Sequence, residues 1–277
     1  MKQIKLLVSV SIILICNSGC LDLDSFMFNQ KKLSSYGLST AIIPDSSRTQ
    51  IAMVSQGKKI YGYFVRSDGT HSQVTVLYNH GRRDNLQFYW DRVELLYKMG
   101  FNIFIYDYEG FGMSEGEPSE SAIYSDAQTA LEYIRSRSDV DASKIAVYGF
   151  SLGCVAAINL AVSSVPLYVL VLEAPFASST TLVQSGTILD IPSSYVMKGE
   201  YNNADKIKSV HIPLLIVHGE NDTFVDINKN SQVIYDNANN PKVFIRVPGA
   251  NHSDIPQKMG EQMYLSTVSG FILNPPQ

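Results

Sequence analysis

A serine between two glycines is the first candidate for chemistry in this sequence. Residues 149–153 read Gly-Phe-Ser-Leu-Gly, an apolar and β-branched run precedes them, and a small-residue helical pattern follows. This context predicts a strand, a tight turn and a helix, with Ser151 at the apex and small residues, Gly149 and Gly153, on either side of a sharp bend. Ser151 is therefore the candidate nucleophile. The alternative is a serine that only caps the helix.

A serine hydroxyl is a poor nucleophile unless a base removes its proton, and the base needs an orienting partner. His252 is the favoured base among the five histidines, because it lies in a loop after the final predicted strand, from which an imidazole can reach the turn. The other four lie in predicted turns or next to strand ends: His71, His80, His211 and His218. We expect His218 to have a backbone or packing role.

Asp222 is the candidate acid, since it follows the predicted strand at 214–218 by a few residues and could accept from the second imidazole nitrogen. Glu220 and Asp226 are the alternatives. With Ser151 and His252, the chain order is Ser, Asp, His. This order is that of α/β-hydrolases and not that of the chymotrypsin or subtilisin types.

Two backbone N–H groups are expected to stabilise the negative charge that develops on an attacked carbonyl oxygen. One is that of Leu152, directly after the candidate nucleophile. The other is that of Arg82, in the loop that follows the predicted strand at 74–78. The side chains of Arg82 and Arg83 could attract an anionic group of the substrate, but we favour a solvated surface pair.

The elements that must position these residues alternate between strands and helices. The strands at the centre are continuous apolar runs, which is typical of a mainly parallel sheet covered by helices on both faces. A β-hairpin is predicted at 48–66 and a closing helix at 255–273. Residues 176–210 are rich in Ser, Thr and Asn and are interpreted as a lid or cap insertion, with an ordinary helix as the alternative. In such sheets the site lies at the carboxyl ends of the strands.

Five motifs in this order resemble those of the α/β-hydrolases, and the sequence is most similar to the BEM46-like branch that includes the ABHD17 and ABHD13 group. They are Asn79-His80-Gly81, the glycine-punctuated stretch 106–116, Gly149-Phe150-Ser151-Leu152-Gly153, His218-Gly219-Glu220-Asn221-Asp222 and Gly249-Ala250-Asn251-His252. The resemblance spans about 74–273. It implies a serine hydrolase of esters or thioesters, acting on a small-molecule or lipid-like acyl substrate without cofactor or metal. Arg82 stands where that branch usually has asparagine.

Two other functions are weighed against this hypothesis. A serine peptidase of the prolyl-oligopeptidase type would share the same three residues, but nothing in the sequence resembles its large accessory domain. A non-catalytic envelope scaffold is the alternative from a different class. A nucleic-acid partner is not expected, because the formal net charge is −4.

The amino terminus has the pattern of a secretory signal. Lys2 and Lys5 precede an apolar run at 6–15, and Ser18-Gly19-Cys20 follows. The end of this segment is similar to a bacterial lipobox, with Asn17 where leucine is usual, and predicts lipidation of Cys20. The expected organisation is therefore a signal peptide at 1–19, a tether or lead-in at 20–47 and a hydrolase domain at 48–277.

The cysteine content and two glycosylation patterns bear on the cellular compartment of the protein. Cys154 is the one cysteine of the predicted domain, so no disulfide is expected within it and the thiol is interpreted as a small buried apolar group. Two N-glycosylation patterns, at 221–223 and 251–253, overlap the candidate acid and base. A glycan there would block the site. We therefore expect an exported, membrane-anchored lipoprotein of a bacterial envelope.

Overall fold

The chain forms one eight-stranded sheet, whose central strands are the apolar runs of the sequence, and a separate two-stranded ribbon of polar residues. The computed structural model describes residues 27–163, 165–186 and 199–277. The strands are β1 (Asn29–Gln30), β2 (Arg48–Ser55), β3 (Lys58–Val65), β4 (Thr75–Asn79), β5 (Arg83–Asp84), β6 (Asn102–Tyr106), β7 (Ile145–Phe150), β8 (Val169–Glu173), β9 (Leu214–Gly219) and β10 (Lys242–Val247). The large sheet has the order β10-β9-β8-β7-β4-β6-β3-β2, and β1 pairs with β5.

The central strands of the large sheet are parallel and buried along their whole length. All residues of β4, β6, β7, β8 and β9 are buried, which explains their continuous apolar character. Strands β2 and β3 form the predicted antiparallel hairpin at one edge, in register from Arg48–Val65 to Ser55–Lys58. The predicted mainly parallel sheet is confirmed.

Helices cover both faces of the sheet. They are α1 (Trp90–Lys98), α2 (Glu120–Ser136), α3 (Gly153–Val162), α4 (Ser179–Gly186), α5 (Asn203–Lys206), α6 (Ser231–Asn237), α7 (Ile255–Met259) and α8 (Glu261–Leu273). Successive side chains of a strand point to opposite faces of the sheet, and they pack into two separate hydrophobic cores. Leu77 and Val147 pack with α2 and α3, whereas Val76 and Ala146 pack with α1 and α8.

Two segments differ from the sequence prediction. The closing helix predicted at 255–273 is two helices, α7 and α8, because Gly260 between them has a φ of 84° that does not continue a helix. The segment 176–210 contains α4, α5 and a 3₁₀ turn at Ile207–Ser209, and the part of the proposed lid at 187–198 lies outside the described residues.

The segment 27–36, here called the N-terminal strap, is hydrogen-bonded to the loop that follows β4. The N–H of Asn29 donates to the carbonyl of Arg82 at 3.0 Å, and the N–H of Lys31 donates to the carbonyl of Asp84 at 2.7 Å. Met27 and Phe28 are buried in the core. The predicted signal peptide and Cys20 lie outside the described residues. Within the described ranges, every helix is too short or too polar to cross a membrane.

Candidate active site

The elbow that presents Ser151 lies between β7 and α3 and depends on close backbone contacts. Ser151 has a φ of 52°, and its N–H donates to the carbonyl of Glu173 on the neighbouring strand at 2.9 Å. A Cβ at Gly149 would lie 2.6 Å from the carbonyl oxygen of Gly153. A Cβ at Gly153 would lie 1.9 Å from the carbonyl oxygen of Asn79. Both glycines are therefore required by the fold, because any side chain would separate the helix from the sheet.

Cys154 follows the elbow and is fully buried, in agreement with the sequence interpretation. Its Sγ donates to the carbonyl of Gly149 at 3.2 Å, and burial raises the pKa of the thiol well above its ordinary value. This thiol is therefore a packed core group, and its structure gives no indication of reactivity.

His252 connects the serine to an acid. Its Nε2 lies 2.9 Å from Oγ of Ser151, and its Nδ1 lies 2.6 Å from Oδ2 of Asp222. An ionised carboxylate only accepts hydrogen bonds, so Nδ1 carries the proton and Nε2 can accept from the serine hydroxyl. The structure thus brings the three candidate residues together in the tautomer that can remove the serine proton.

Asp222 is held ionised by donors on both of its oxygens. Oδ1 accepts from the N–H groups of Phe224 and Val225 at 2.8 Å each, and Oδ2 accepts from both His218 and His252. Burial alone would raise the pKa of Asp222, but the hydrogen bonds from the two histidines lower it well below the ordinary range of an aspartate. The two histidine contacts therefore favour the ionised carboxylate.

His218 is the residue whose role the sequence interpretation missed. It is fully buried, and its Nε2 lies 2.8 Å from Oδ2 of Asp222 while its Nδ1 lies 2.5 Å from Oγ of Ser231. Burial lowers the pKa of His218, which favours a neutral ring that donates from Nε2 to Asp222. The spacing of four residues between His218 and Asp222, across a strand end, was the available signal.

The alternative acids are engaged elsewhere. Glu220 lies 3.5 Å from the guanidinium of Arg246 on the neighbouring edge strand. Asp226 accepts from the N–H groups of Asn228 and Lys229 at 2.9 Å each and so stabilises its own turn. Among the described contacts, Asp222 is the carboxylate that reaches His252.

The loop after β4, expected to provide one oxyanion donor, is fixed by buried polar contacts. Nδ1 of His80 donates to the carbonyl of Gly81 at 2.7 Å, and its Nε2 lies 3.2 Å from Oδ1 of Asp107. The hydroxyl of Tyr108 donates to the carbonyl of His80 at 2.9 Å. These contacts hold Gly81 and the following Arg82 beside the elbow, and Arg82 and Ser151 line the same cavity. Leu152 begins the turn into α3, where the first N–H groups lack partners within the helix.

A buried ion pair lies beneath the site. The guanidinium of Arg92, on α1, is 3.0 Å from Oε1 of Glu173 and donates to the carbonyl of Ser253 at 2.8 Å. Glu173 accepts further hydrogen bonds from Tyr148 and from Tyr264, the latter at 2.7 Å. The backbone carbonyl of Glu173 also accepts from the N–H of Ser151, and Ser253 follows His252. This ion pair therefore links the segments that carry Ser151 and His252.

A cavity of about 220 Å³ opens above Ser151. Its described lining is Arg82, Arg83, Phe88, Tyr89, Phe150, Ser151, Phe224, His252 and Ser253. Arg82 is half-buried, unlike the expectation of a solvated surface pair, whereas Arg83 is exposed as expected. Both arginines line the cavity that contains Ser151.

Comparisons with known proteins identify the family and several relatives of this chain. The family described as serine aminopeptidase, S33, matches residues 70–191. An uncharacterized protein of Escherichia coli O157:H7, YfhR, is 30% identical over 240 residues, which cover 83% of this chain and 82% of that protein. The human alpha/beta hydrolase domain-containing protein 17B is 29% identical over 232 residues, covering 82% of this chain and 76% of that protein.

Solved structures show the same architecture. An esterase of Pyrococcus furiosus, Pf2001, superposes with a TM-score of 0.71 at 18% identity, covering 89% of this chain and 97% of that one. An alpha-beta hydrolase of Vibrio vulnificus superposes with a TM-score of 0.67 at 17% identity, covering 87% and 96%. At such low identity the likeness concerns the fold.

Proposed function

Because the chain belongs to the α/β-hydrolase family, we propose that it is a serine hydrolase that cleaves carboxylic esters or thioesters through an acyl-enzyme intermediate. The observation that carries this proposal is the pair of contacts made by His252, to Ser151 at 2.9 Å and to Asp222 at 2.6 Å. A nucleophile, a base and an orienting acid in hydrogen-bond contact are the arrangement that acyl transfer requires.

The proposed reaction has two halves. Oγ of Ser151 attacks the carbonyl carbon while Nε2 of His252 takes the hydroxyl proton, and Asp222 stabilises the imidazolium that forms. When the tetrahedral intermediate collapses, His252 gives this proton to the departing alcohol or thiol and the acyl group stays on Ser151. Water then attacks the acyl-enzyme, gives a proton to His252, and the acid departs as Ser151 recovers its proton.

The backbone N–H groups of Leu152 and Arg82 are the proposed donors to the oxyanion. Support comes from their positions, one directly after the nucleophile and the other on the loop that shares its cavity. Donors fixed before the reaction are most effective, since they need no reorganisation as charge develops. The hydrogen bonds from His80 to the carbonyl of Gly81 and from Tyr108 to the carbonyl of His80 support that rigidity.

The cavity favours a small ester over a peptide amine. Its volume of about 220 Å³ lies below the roughly 300–1,000 Å³ typical of drug-sized ligand sites, which favours a short acyl group. An aminopeptidase must hold a protonated amine, for which a carboxylate is the natural partner. The described lining contains Arg82 and Arg83 and no carboxylate. We therefore place peptide hydrolysis behind ester hydrolysis.

The test uses the purified protein with 4-nitrophenyl butyrate and a fluorophosphonate probe. We expect hydrolysis of the ester and labelling at Ser151, and we expect Ser151→Ala to lose both while its thermal unfolding midpoint stays within a few degrees. Ser266→Ala, at an exposed serine of α8, is the matched control and should retain both. Hydrolysis at an unchanged rate in Ser151→Ala would contradict the proposal.

We also propose that the chain is exported and lipidated at Cys20. This is supported by the basic residues Lys2 and Lys5, the apolar run at 6–15 and the Gly19-Cys20 pair. In a bacterial host, metabolic labelling with a radioactive fatty acid should mark the protein in the membrane fraction. Cys20→Ala should abolish the label, and an unlabelled wild-type protein would contradict lipidation.

A further inference from the structure

We propose that the ester attacked by Ser151 carries an anionic group, a carboxylate or a phosphate, that binds the guanidinium groups of Arg82 and Arg83 at the cavity. This inference rests on the proposed function, because the anion belongs to the same molecule that the serine attacks. The two arginines are the cations of the described lining, and they lie beside the nucleophile instead of on a remote surface.

The first guanidinium is held against a ring that contacts the base. Cζ of Arg82 lies 4.9 Å from the centroid of the Phe224 ring. The edge of the same ring meets His252, with 5.1 Å between the ring centroids. Stacking on an aromatic face restricts the orientation of a guanidinium, and its N–H groups lie in its own plane, from which they can donate to an oxyanion. Arg82 is therefore oriented one ring away from the catalytic imidazole.

The guanidinium of Arg83 also lies over an aromatic ring, that of Phe88, and both residues line the cavity. Cζ of Arg83 lies 4.5 Å from the centroid of Phe88, whose side chain is 45% exposed. The Arg83 N–H donates to the hydroxyl of Tyr89 at 3.1 Å, which fixes the backbone from which the side chain extends. The nearest carboxylate oxygen, on Asp84, is 3.9 Å from Nε of Arg83, at the limit of an ion pair.

The charges around the cavity favour an anion. The whole chain has a formal net charge of −4, so two adjacent arginines at the nucleophile are a local reversal of sign. Burial lowers the pKa of the Arg82 guanidinium, the neighbouring Tyr89 raises it, and the positive charge of Arg83 lowers it. An anion bound to both guanidinium groups would offset the repulsion between them. A positive cleft also attracts anionic substrates from solution.

Three chromogenic esters test the inference and locate the anion. The neutral reference is 4-nitrophenyl butyrate. Mono-4-nitrophenyl glutarate places a carboxylate on the acyl side, and 3-carboxy-4-nitrophenyl butyrate places one on the leaving group. Each kcat/KM is divided by the rate constant for alkaline hydrolysis of that ester. We expect at least one anionic ester to exceed the neutral one by about tenfold at low salt, and this advantage to shrink at 0.5 M NaCl.

Variants then assign the effect to the arginines. Arg82→Gln and Arg83→Gln should each lower the ratio of anionic to neutral kcat/KM by about fivefold. Arg83→Lys, which keeps the charge, should retain most of the ratio. Arg66→Gln is the matched control, because Arg66 is an exposed arginine just beyond β3 and outside this cavity, and it should leave the ratio unchanged.

The outcomes separate this inference from the proposed function. If the neutral ester is hydrolysed in a Ser151-dependent manner and neither anionic ester is preferred, the anion site is wrong and the serine hydrolase stands. The anion site is equally wrong if the preference survives in both glutamine variants. If none of the three esters is hydrolysed and the fluorophosphonate probe does not react, the proposed function itself fails.

Discussion

Nε2 of His218 lies 2.8 Å from Oδ2 of Asp222, the same oxygen that His252 contacts from the other side. One carboxylate oxygen thus accepts from two imidazoles, of which one meets the nucleophile and the other is buried in the core. The buried ring of His218 helps to hold the carboxylate that contacts His252. We therefore propose that His218 is a positioning residue, which would act on the reaction through Asp222.

Replacing His218 should slow the chemical step. His218→Phe removes one of the two donors to Oδ2 of Asp222 and so holds the carboxylate less firmly against His252, and we expect kcat for 4-nitrophenyl butyrate to fall about tenfold, equivalent to about 1.4 kcal/mol. KM should change little, since His218 does not line the cavity. His218→Gln retains a donor and an acceptor and should recover most of the rate. His211→Phe, at an exposed position, is the control, and an equal loss in both glutamine and phenylalanine variants would count against positioning.

Breaking the buried pair of Arg92 and Glu173 should destabilise the protein. Arg92→Met leaves an uncompensated carboxylate in the core, and we expect the free energy of unfolding to fall by about 3–5 kcal/mol. Urea unfolding can be followed by the fluorescence of Trp90, the single tryptophan. The double variant Arg92→Met/Glu173→Gln removes both charges and should recover a large part of the loss. A double variant as unstable as the single one would show that charge is not the cause.

Asp126 is expected to lower the free energy of unfolding as the pH rises. It is a buried residue of α2, its Oδ2 accepts from the N–H of Glu109 at 2.7 Å, and burial raises its pKa to about 6. The folded state therefore favours the protonated acid. The contribution of Asp126 to the free energy of unfolding is at most about 3 kcal/mol. It is fully present below about pH 4 and is lost as the pH rises through about 6.

Asp126→Asn keeps the acceptor and carries no charge, so its effect should depend on pH. We expect the variant to be more stable than the wild type by about 2 kcal/mol at pH 8 and nearly equal to it at pH 4, by thermal or urea unfolding. Asp68→Asn, at an exposed carboxylate, is the control for the loss of one charge. If Asp126→Asn were more stable than the wild type by the same amount at pH 4 and at pH 8, the prediction of a raised pKa for Asp126 would be refuted.

Gly153→Ala should disturb the site from within the fold. The added Cβ would lie 1.9 Å from the carbonyl oxygen of Asn79, so β4 and the oxyanion loop after it must shift away from α3. We expect a loss of about 1–3 kcal/mol in stability and a fall in kcat of at least about 100-fold. Gly270→Ala is the control, because no atom lies within 4 Å of its added Cβ. Alanine there should stabilise α8 by about 0.5–1 kcal/mol.

The sequence predicted those features of the fold that require one type of residue at one kind of position. Strands buried on both faces read as continuous apolar runs, so the parallel sheet, the hairpin and the elbow at Ser151 were predictable. The break at Gly260 was not, because an apolar periodicity continues across it. The contact between His218 and Asp222 depends on side-chain direction at a strand end. The half-buried state of Arg82 depends on its packing against Phe224, a residue far away in the sequence.

The pairing of the N-terminal strap with the loop after β4 has a mechanical consequence. Asn29 and Lys31 bond to the carbonyls of Arg82 and Asp84, and the strap has no ladder with the large sheet among the described strands. Met27 and Phe28 are packed in the core just before these bonds, so tension applied at the amino terminus loads that packing and then this loop. The segment that carries the proposed oxyanion donor and both arginines is therefore coupled to the way in which the amino terminus is held.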